Sequence, residues 1–372
     1  MALGERLKHA RNSLGLTLNA VAGRSEIGLS TLSDFENEKR EPKLSQLKQL
    51  ADTYGRPLGF FLEEGPVKPD TVLWRNKPNS PIAGKIQVRL ESLAEQYHNL
   101  EIWCDEHEPC RIQFAPEIPA LEFKYSDSET LADKFRNDFE LGARPGGSLI
   151  KVLEEVCKVK VFHLSFEPKG SAACCLNERF GAAILLNARN VRWRRNFDLA
   201  HELFHLLTWK IFRQGVSEDG IEATKKEEKL ATCFARNLLM PKESFQKAVD
   251  RQKESAKGGK LGFHQFFEVA RQFDVSFEAA LRHFGFVYNQ PSKKVDEYLK
   301  QVKERISSWN DREHDDPPER PLRFEALAIQ ALRHGAMSAG RYAEYLGISR
   351  REAMQIVEQE ADRDAEIEVA NL

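Results

Sequence analysis

Two histidines and a glutamate lie close together in the stretch His201-Glu202-Leu203-Phe204-His205. The surrounding residues favour a helix, on which positions i and i+4 share one face, so both imidazoles can bind a single metal ion. Imidazoles at this spacing suit Zn²⁺, and the glutamate between them can act as general base on water at the metal. The pattern predicts a zinc-dependent hydrolase of peptide bonds. The alternative is a buried amphipathic helix that carries two unrelated histidines.

A third ligand must come from elsewhere in the chain, because a catalytic zinc takes three protein ligands and keeps one position open. Acidic residues downstream of the motif are the candidates: Glu218, Asp219, Glu222, Glu227 and Glu228. Residues 228–241 read as one helix with an apolar stripe that stops at Pro241. Glu228 lies in its first turn, where the helix dipole favours a carboxylate.

A short apolar run at residues 182–187 precedes the metal-binding helix by one loop and predicts a strand. We expect it to be an edge strand, on which the backbone of a peptide substrate can pair. Most other periodic segments are helical. The predicted fold class is therefore α+β, mainly α with a small β-sheet.

The N-terminal segment, residues 1–66, reads as a bundle of short helices with a tight turn at residues 27–30. This is the layout of a helix-turn-helix, whose second helix enters the major groove of DNA. The sequence LGERLKHARNSLGLTLNAVA, continued by IGLSTLSDFENEKREPKLSQLKQLADTYGRPLGFFL, closely resembles the Xre/Cro-type repressor domain. The resemblance implies that six residues contact bases or the phosphate backbone: Ser30, Thr31, Ser33, Asn37, Lys39 and Arg40.

Local charge works against DNA binding by this segment. Its Lys and Arg residues are as numerous as its Asp and Glu residues, and Asp34 and Glu38 lie beside the proposed reading face. A role in dimerisation or partner binding is the alternative.

The stretches NFDLAHELFHLL and EKLATCFARNLLMP resemble the ImmA/IrrE family of metallo-endopeptidases, and the likeness extends from about residue 130 to 285. It implies that His201, His205 and Glu228 bind zinc and that Glu202 is the general base. It supplies no partner for the developing oxyanion, for which His264 and His283 are the downstream candidates.

Six cysteines occur in the chain, and they are scattered as expected for reduced thiols. Cys104, His107 and Cys110, with His98 nearby, either bind a second zinc or are ordinary partly buried groups. Cys174 and Cys175 precede the predicted strand. Their thiolates either block the open zinc position until they are oxidised, or the two residues are small buried hydrophobes.

Proline-rich boundaries divide the chain into four predicted segments. They are the helix-turn-helix domain (1–66), a linker or helical connector (67–125), the zincin-like metallopeptidase domain (126–290) and a C-terminal helical domain for regulation or packing (291–372). The net charge of −2 argues against a strongly basic nucleic-acid binder. No apolar run approaches the length of a membrane span, and without a signal-peptide pattern at the N-terminus we expect a cytoplasmic location.

Together these features predict a zinc endopeptidase that cleaves a transcriptional repressor in a stress, mobile-element or phage response. The substrate would be a separate repressor or this chain's own N-terminal domain, and a homodimer is left open. The alternative is a DNA-binding regulator or antitoxin-like protein whose zincin fold senses a ligand and cuts little or nothing.

Overall fold

A computed structural model describes residues 3–358 apart from positions 15, 55, 57, 63–71, 76, 79, 109, 167–171, 178–179, 214–221 and 311–314. The chain forms two compact units. Unit 1 comprises residues 1–68, 79–109 and 320–372, and unit 2 comprises residues 69–78 and 110–319.

Unit 1 begins with five short helices. They are α1 (Leu3–Ser13), α2 (Leu18–Ser25), α3 (Leu29–Glu36), α4 (Leu44–Tyr54) and α5 (Leu58–Leu62). Thr17 caps α2 by accepting a hydrogen bond from the Ala20 amide, and Glu26 ends it in the left-handed conformation with φ of 56°. The short turn before α3 therefore produces the predicted helix-turn-helix, with Leu7, Val21 and Phe35 in its core.

A bidentate ion pair joins α1 to the end of α3. Arg11 Nε lies 2.6 Å and Nη2 2.8 Å from the two carboxylate oxygens of Glu36. The Glu36 side chain is only 6% exposed, so it depends on this partner for its charge. Glu36 is therefore an internal ion-pair partner that ties α3 to α1.

Removing the Arg11 side chain should destabilise this domain. Because Arg11→Ala leaves a nearly buried carboxylate unpaired, we expect the free energy of unfolding to fall by about 3 kcal/mol. Urea denaturation against the matched control Lys48→Ala, an exposed cation on α4, measures the effect. A change as small as that of the control would mean that the ion pair does not support the domain.

The rest of unit 1 is a long helix with C-terminal helices packed on it. They are α6 (Ser80–Trp103), α16 (Leu322–Arg333) and α17 (Ala339–Leu346). Tyr97 of α6 meets Phe324 edge-on at 5.5 Å between ring centroids, and Trp103 stacks on Tyr345 at 5.8 Å. Arg323 Nη1 lies 2.6 Å from Glu101 Oε1.

Unit 2 contains a four-stranded sheet and the helices around it. The strands are β1 (Val72–Arg75), β2 (Lys160–Leu164), β3 (Ala172–Asn177) and β4 (Gly181–Asn187), in the order β1-β3-β4-β2. β1 is antiparallel to β3, β3 is antiparallel to β4, and β4 is parallel to β2. The helices are α7 (Tyr125–Asp138), α8 (Leu149–Lys151, continued by a π-helical turn), α9 (Arg192–Leu207), α10 (Trp209–Arg213), α11 (Lys225–Leu239), α12 (Lys242–Ser255), α13 (Phe263–Gln272), α14 (Phe277–Val287) and α15 (Ser292–Asn310).

The predicted α+β class is confirmed, but the position predicted for residues 182–187 is wrong. These residues form β4, which is hydrogen-bonded on both sides and is therefore an interior strand. An apolar run shows that a strand is buried, whereas its place in the sheet depends on which other strands pair with it, here β2 and β3. The other interior strand is β3, which lies between β4 and the edge strand β1.

The compact units cut across the four sequence segments. Within residues 67–125, β1 pairs with β3 in unit 2, whereas α6 packs with α16 in unit 1. Within residues 291–372, α15 belongs to unit 2, and α16 and α17 belong to unit 1. The functional boundaries of the segments stay a prediction. Among the residues described, no helix is long and apolar enough to cross a membrane.

Candidate metal centre

Helix α9 places His201 and His205 one turn apart on the same face. Both side chains are about 1% exposed, and their ring centroids are 5.1 Å apart. The helix is buried on nearly every side because its apolar residues pack under β3 and β4 and against α11. The two imidazoles are therefore held in a dry interior, where an uncompensated polar nitrogen is costly.

Helix α11 supplies a carboxylate opposite the two imidazoles. Thr224 caps the helix, and Glu228 lies in its first turn. Glu228 Oε2 is 3.3 Å from His201 Nε2, and Oε1 is 3.5 Å from His205 Nε2. Ala231 and Ala235 are fully buried on α11, and their small side chains suit close packing against α9.

These three residues fit a metal ion. Two ligands about 2.05 Å from a tetrahedral zinc lie about 3.4 Å apart, which matches the two nitrogen–oxygen distances. The three ligand atoms all lie within 4.8 Å of one another. Both Nε2 atoms are buried, yet neither forms a well-aligned hydrogen bond among the described residues. The donor set therefore converges on a point where a cation would satisfy all three groups.

Glu227, the neighbour of Glu228, has a different role from the ligand role considered for it. Its Oε1 accepts a hydrogen bond of 2.8 Å from His205 Nδ1. Arg213 donates two bonds to the same carboxylate, at 2.6 and 3.1 Å. A carboxylate on the far nitrogen of a ligating histidine fixes the tautomer and the ring orientation. Burial opposes protonation of His205, but the carboxylates of Glu227 and Glu228 beside it raise its pKa to about 9 in the absence of a metal.

The side chain of Glu202, on α9, is fully buried against β3 and lies near His205 and Glu228. Burial raises the pKa of its carboxyl to about 7. A general base works best when its pKa lies near the working pH. The environment therefore suits a residue that takes and returns a proton.

Cys174 of β3 lies against Glu202 and not among the ligand atoms. Burial, with the neighbouring carboxylate, raises the pKa of the Cys174 thiol well above its ordinary value. Successive residues of a strand face opposite sides of a sheet, so Cys175 points the other way. The structure thus brings the nearer thiol to the candidate base, while a thiolate that blocks zinc stays an untested hypothesis.

An ion pair from the start of unit 2 lies against the metal helix. Arg75 Nη1 of β1 is 2.5 Å from Asp198 Oδ1, and Asp198 lies one turn before His201 on α9. Burial, followed by the charge of Arg75, lowers the pKa of His201 to about 3. Sequence reasoning missed both residues, since 123 positions separate them and no local pattern links them.

The other candidates lie away from the centre or outside the described residues. Glu218 and Asp219 fall outside them, and Glu222 and His264 are exposed. His283 is buried against Phe245 and lies near the backbone of Met240. Met240 is twelve residues after Glu228, about 18 Å along a helix. The structure therefore gives neither histidine a place near the reacting atoms.

The cysteines considered for a second zinc do not come together. The Cys104 thiol donates to the Leu327 carbonyl, whereas the Cys110 thiol donates to the Cys157 carbonyl in the other unit. His98, Glu101 and His107 do have ligand atoms within 4.8 Å of one another. Arg323 already forms an ion pair with Glu101. We therefore expect a metal ion to bind more weakly to this group than to the buried site in unit 2.

The six predicted DNA contacts lie on α3 and the turn after it. Ser30, Asn37, Lys39 and Arg40 are exposed, and Thr31 and Ser33 are half-buried. The Asn37 amide donates to the Ser33 carbonyl at 2.8 Å, which holds it against the end of α3. The contacts of these six residues with DNA stay a prediction.

Comparison with known families identifies both parts of the chain. Residues 154–284 match the IrrE N-terminal-like domain of the M78 peptidases, and residues 2–59 match a helix-turn-helix domain. The chain therefore joins a helix-turn-helix domain to an IrrE-like domain of a metallopeptidase family, as the two resemblances predicted.

The curated relatives match the N-terminal domain. The regulator DdrOP3 of Deinococcus deserti is 41% identical over 63 residues, which are 17% of this chain and 49% of that protein. ImmR of Bacillus subtilis is 36% identical over 62 residues, 17% of this chain and 49% of that protein. PuuR of Escherichia coli is 37% identical over 70 residues, 19% of this chain and 37% of that protein.

The chain thus spans about half or less of the length of these relatives, all named as helix-turn-helix transcriptional regulators. A solved structure of ComR from Streptococcus suis aligns over 98% of this chain and 96% of that one. The sequence identity is 13% and the TM-score is 0.16, so this alignment does not show that the two chains share a fold.

Proposed function

We propose that this protein is a zinc-dependent endopeptidase that acts in transcriptional regulation. The observation that carries the proposal is the buried convergence of His201, His205 and Glu228 beside Glu202. The IrrE-like domain supports it, because the domain belongs to a peptidase family. Three candidate ligands, a candidate base and burial away from bulk water support this proposal, because metal-assisted peptide hydrolysis uses all three.

Each residue has a defined task in this proposal. His201, His205 and Glu228 would hold the zinc, which when bound would supply Lewis acidity and lower the pKa of water. Glu227 and Arg213 keep the His205 ring in its ligating orientation. Glu202 accepts the proton of the attacking water and passes it to the leaving amine. Burial raises the pKa of this carboxyl, which suits a group that takes and returns a proton.

The N-terminal domain connects this activity to DNA. In our proposal, Ser30, Thr31, Ser33, Asn37, Lys39 and Arg40 contact bases or phosphates. The substrate is a transcriptional repressor, either a separate protein or the N-terminal domain of this chain, and the protein acts in the cytoplasm. The regulators that share the N-terminal domain support the link to transcription.

The DNA part of the proposal predicts a change in salt dependence. Lys39→Ala with Arg40→Ala removes two cations at the phosphate backbone, so we expect the slope of log affinity against log salt to fall by about two. Fluorescence anisotropy with a duplex bound by the wild-type chain measures it, with Lys48→Ala as control. An unchanged slope would place the DNA contacts elsewhere.

The peptidase part is tested by comparing the N-termini of cellular proteins between cells that express the wild-type chain and cells that express its Glu202→Gln variant. We expect new N-termini in a repressor only with the intact residue. Zinc analysis of both purified chains should give about one zinc per chain. If zinc is bound but no termini differ and regulation survives, the alternative holds, which is a DNA-binding regulator with a sensory zincin fold.

A further inference from the structure

We propose that the outer edge of β3 is a docking surface for an extended peptide with an apolar residue followed two positions later by Arg or Lys, and that Val72–Arg75 occupies this surface in the resting chain. This inference rests on the proposed peptidase function, because the peptide that docks would be the substrate. Binding of a peptide to β3 can be measured whether or not the peptide is cleaved.

The edge of β3 lies beside the predicted catalytic base. Cys174, in the middle of β3, faces α9 and lies against Glu202. A strand added at this edge lies about 4.8 Å further out. A peptide bound there by main-chain hydrogen bonds would pass beside the metal centre. β3 is paired with β4 on one side and with β1 on the other, so a peptide can reach this edge only when β1 leaves it.

β1 occupies this edge in the way expected of a peptide. All four of its residues pair with β3 in antiparallel register, Val72 with Cys175 and Arg75 with Ala172 at the two ends. The strand enters from the segment after α5 and does not belong to the continuous part of unit 2, which starts at residue 110. It is therefore a short segment from elsewhere in the chain that completes the sheet.

The register defines which side chains the surface accepts. Leu73 lies opposite Cys174, is 1% exposed and belongs to the core of unit 2. Two positions later, Arg75 is on the same face and reaches Asp198 on the metal helix at 2.5 Å. Its guanidinium carbon lies 5.5 Å from the centre of the Phe197 ring. Trp74, between them, faces the other side and meets Phe166 edge-on.

The charge at Asp198 determines the preference for a basic residue. Its side chain is 2% exposed, and burial raises the pKa of its carboxyl even with Arg75 beside it. Asn190 Nδ2 at 3.3 Å and Arg194 Nε at 3.9 Å also face it, but Arg194 is 57% exposed and distant. A buried carboxylate without a close cation is costly. A peptide that displaces β1 must therefore bring a basic side chain to replace Arg75.

β1 is suited to be exchanged because it is only four residues long and Leu73 is its one buried residue. Besides the pairing with β3, the described contacts of its side chains are those of Leu73 with the core, of Trp74 with Phe166, and of Arg75 with Asp198 and Phe197. While β1 is in place, a peptide that pairs at this side of the sheet lies one strand further from Glu202. In this proposal the β3 edge is therefore closed to an extended substrate in the resting chain, and release of β1 opens it.

The test compares the full zinc-loaded chain with its Arg75→Glu variant. In the variant, the introduced carboxylate repels Asp198, which Arg75 contacts in the wild-type chain. Lys77→Glu is the matched control, since it reverses an exposed charge two residues away. We expect amide hydrogen exchange in residues 72–75 and 172–177 to be at least about tenfold faster in Arg75→Glu, and unchanged in the control. If circular dichroism shows that Arg75→Glu does not fold, Arg75→Gln replaces it.

A synthetic peptide with the sequence of residues 70–78 is then added at millimolar concentration to the opened variant. We expect it to restore protection of residues 172–177, and we expect the same peptide with Glu in place of Arg to restore none. Unchanged exchange in the variant, or equal protection by both peptides, would overturn the inference.

Cleavage of fluorescent casein separates the two proposals. Faster cleavage by Arg75→Glu than by the wild-type chain supports the closed resting state. Slower cleavage with exposed β3 amides would show that β1 does not stand in the substrate's place. If the peptide docks as expected and zinc is bound but cut termini never depend on Glu202, the peptidase function fails while the docking surface stands.

Discussion

The Glu202→Gln chain should bind zinc like the wild-type chain and cleave peptide bonds about a thousandfold more slowly. General-base catalysis contributes about 10²- to 10⁴-fold to a rate, and an amide cannot accept the proton. The substitution keeps the size of the side chain. It also removes a carboxyl whose burial raises its pKa to about 7, so no loss of stability is expected.

The measurement compares kcat/KM on a substrate that the wild-type chain cuts, together with the zinc content of each chain. Glu222→Gln is the matched control, because it makes the same change in an exposed acid upstream of α11. The control should retain full activity. Activity of Glu202→Gln within about threefold of wild type, well below the range for a general base, would mean that another group takes the proton.

The adjacent acids Glu227 and Glu228 should differ sharply in their effect on zinc binding. Glu228→Ala removes a predicted ligand, so we expect the zinc affinity to fall by well over a hundredfold. Glu227→Ala removes the partner of His205 Nδ1, and loss of such a residue costs about 10- to 100-fold. It also leaves Arg213 without its carboxylate partner, so part of its effect should appear as lower stability.

Zinc titration against a chromophoric chelator measures both affinities, with Glu222→Ala as control. Removal of zinc from the wild-type chain with a chelator should also lower the free energy of unfolding. The expected loss is about 4 kcal/mol relative to a sample in which the free zinc concentration is about a thousand times the dissociation constant. If Glu227→Ala weakened binding more than Glu228→Ala, Glu227 would be the ligand and the assignment from the geometry would be wrong.

Local sequence periodicity accounts for the parts that could be predicted. The four-residue spacing of His201 and His205 places them on one face of any helix, so their convergence follows from α9 alone. The turn between α2 and α3 is equally local, with Thr17 as the cap and Glu26 in the left-handed region. These features need only contacts between residues a few positions apart, and the sequence displays such contacts directly.

Features that join distant residues could not be predicted in the same way. Glu227 and Glu228 point about 100° apart on a helix, so the rotation of α11 against α9 decides which of them faces His201. The prediction for β4 failed for a similar reason. Its apolar residues indicate burial, but they do not show that β2 and β3 pair on its two sides and exclude it from the edge.

The sequence by itself determined the two domain types, the α+β class and the pair of histidines with a glutamate between them. Tertiary structure decided that Glu227 supports His205, that Cys174 lies against Glu202, and that Arg75 reaches Asp198 across 123 positions. The reason is physical. Helix periodicity and caps depend on neighbours within one or two turns, whereas strand order and ion pairs depend on how the whole core packs.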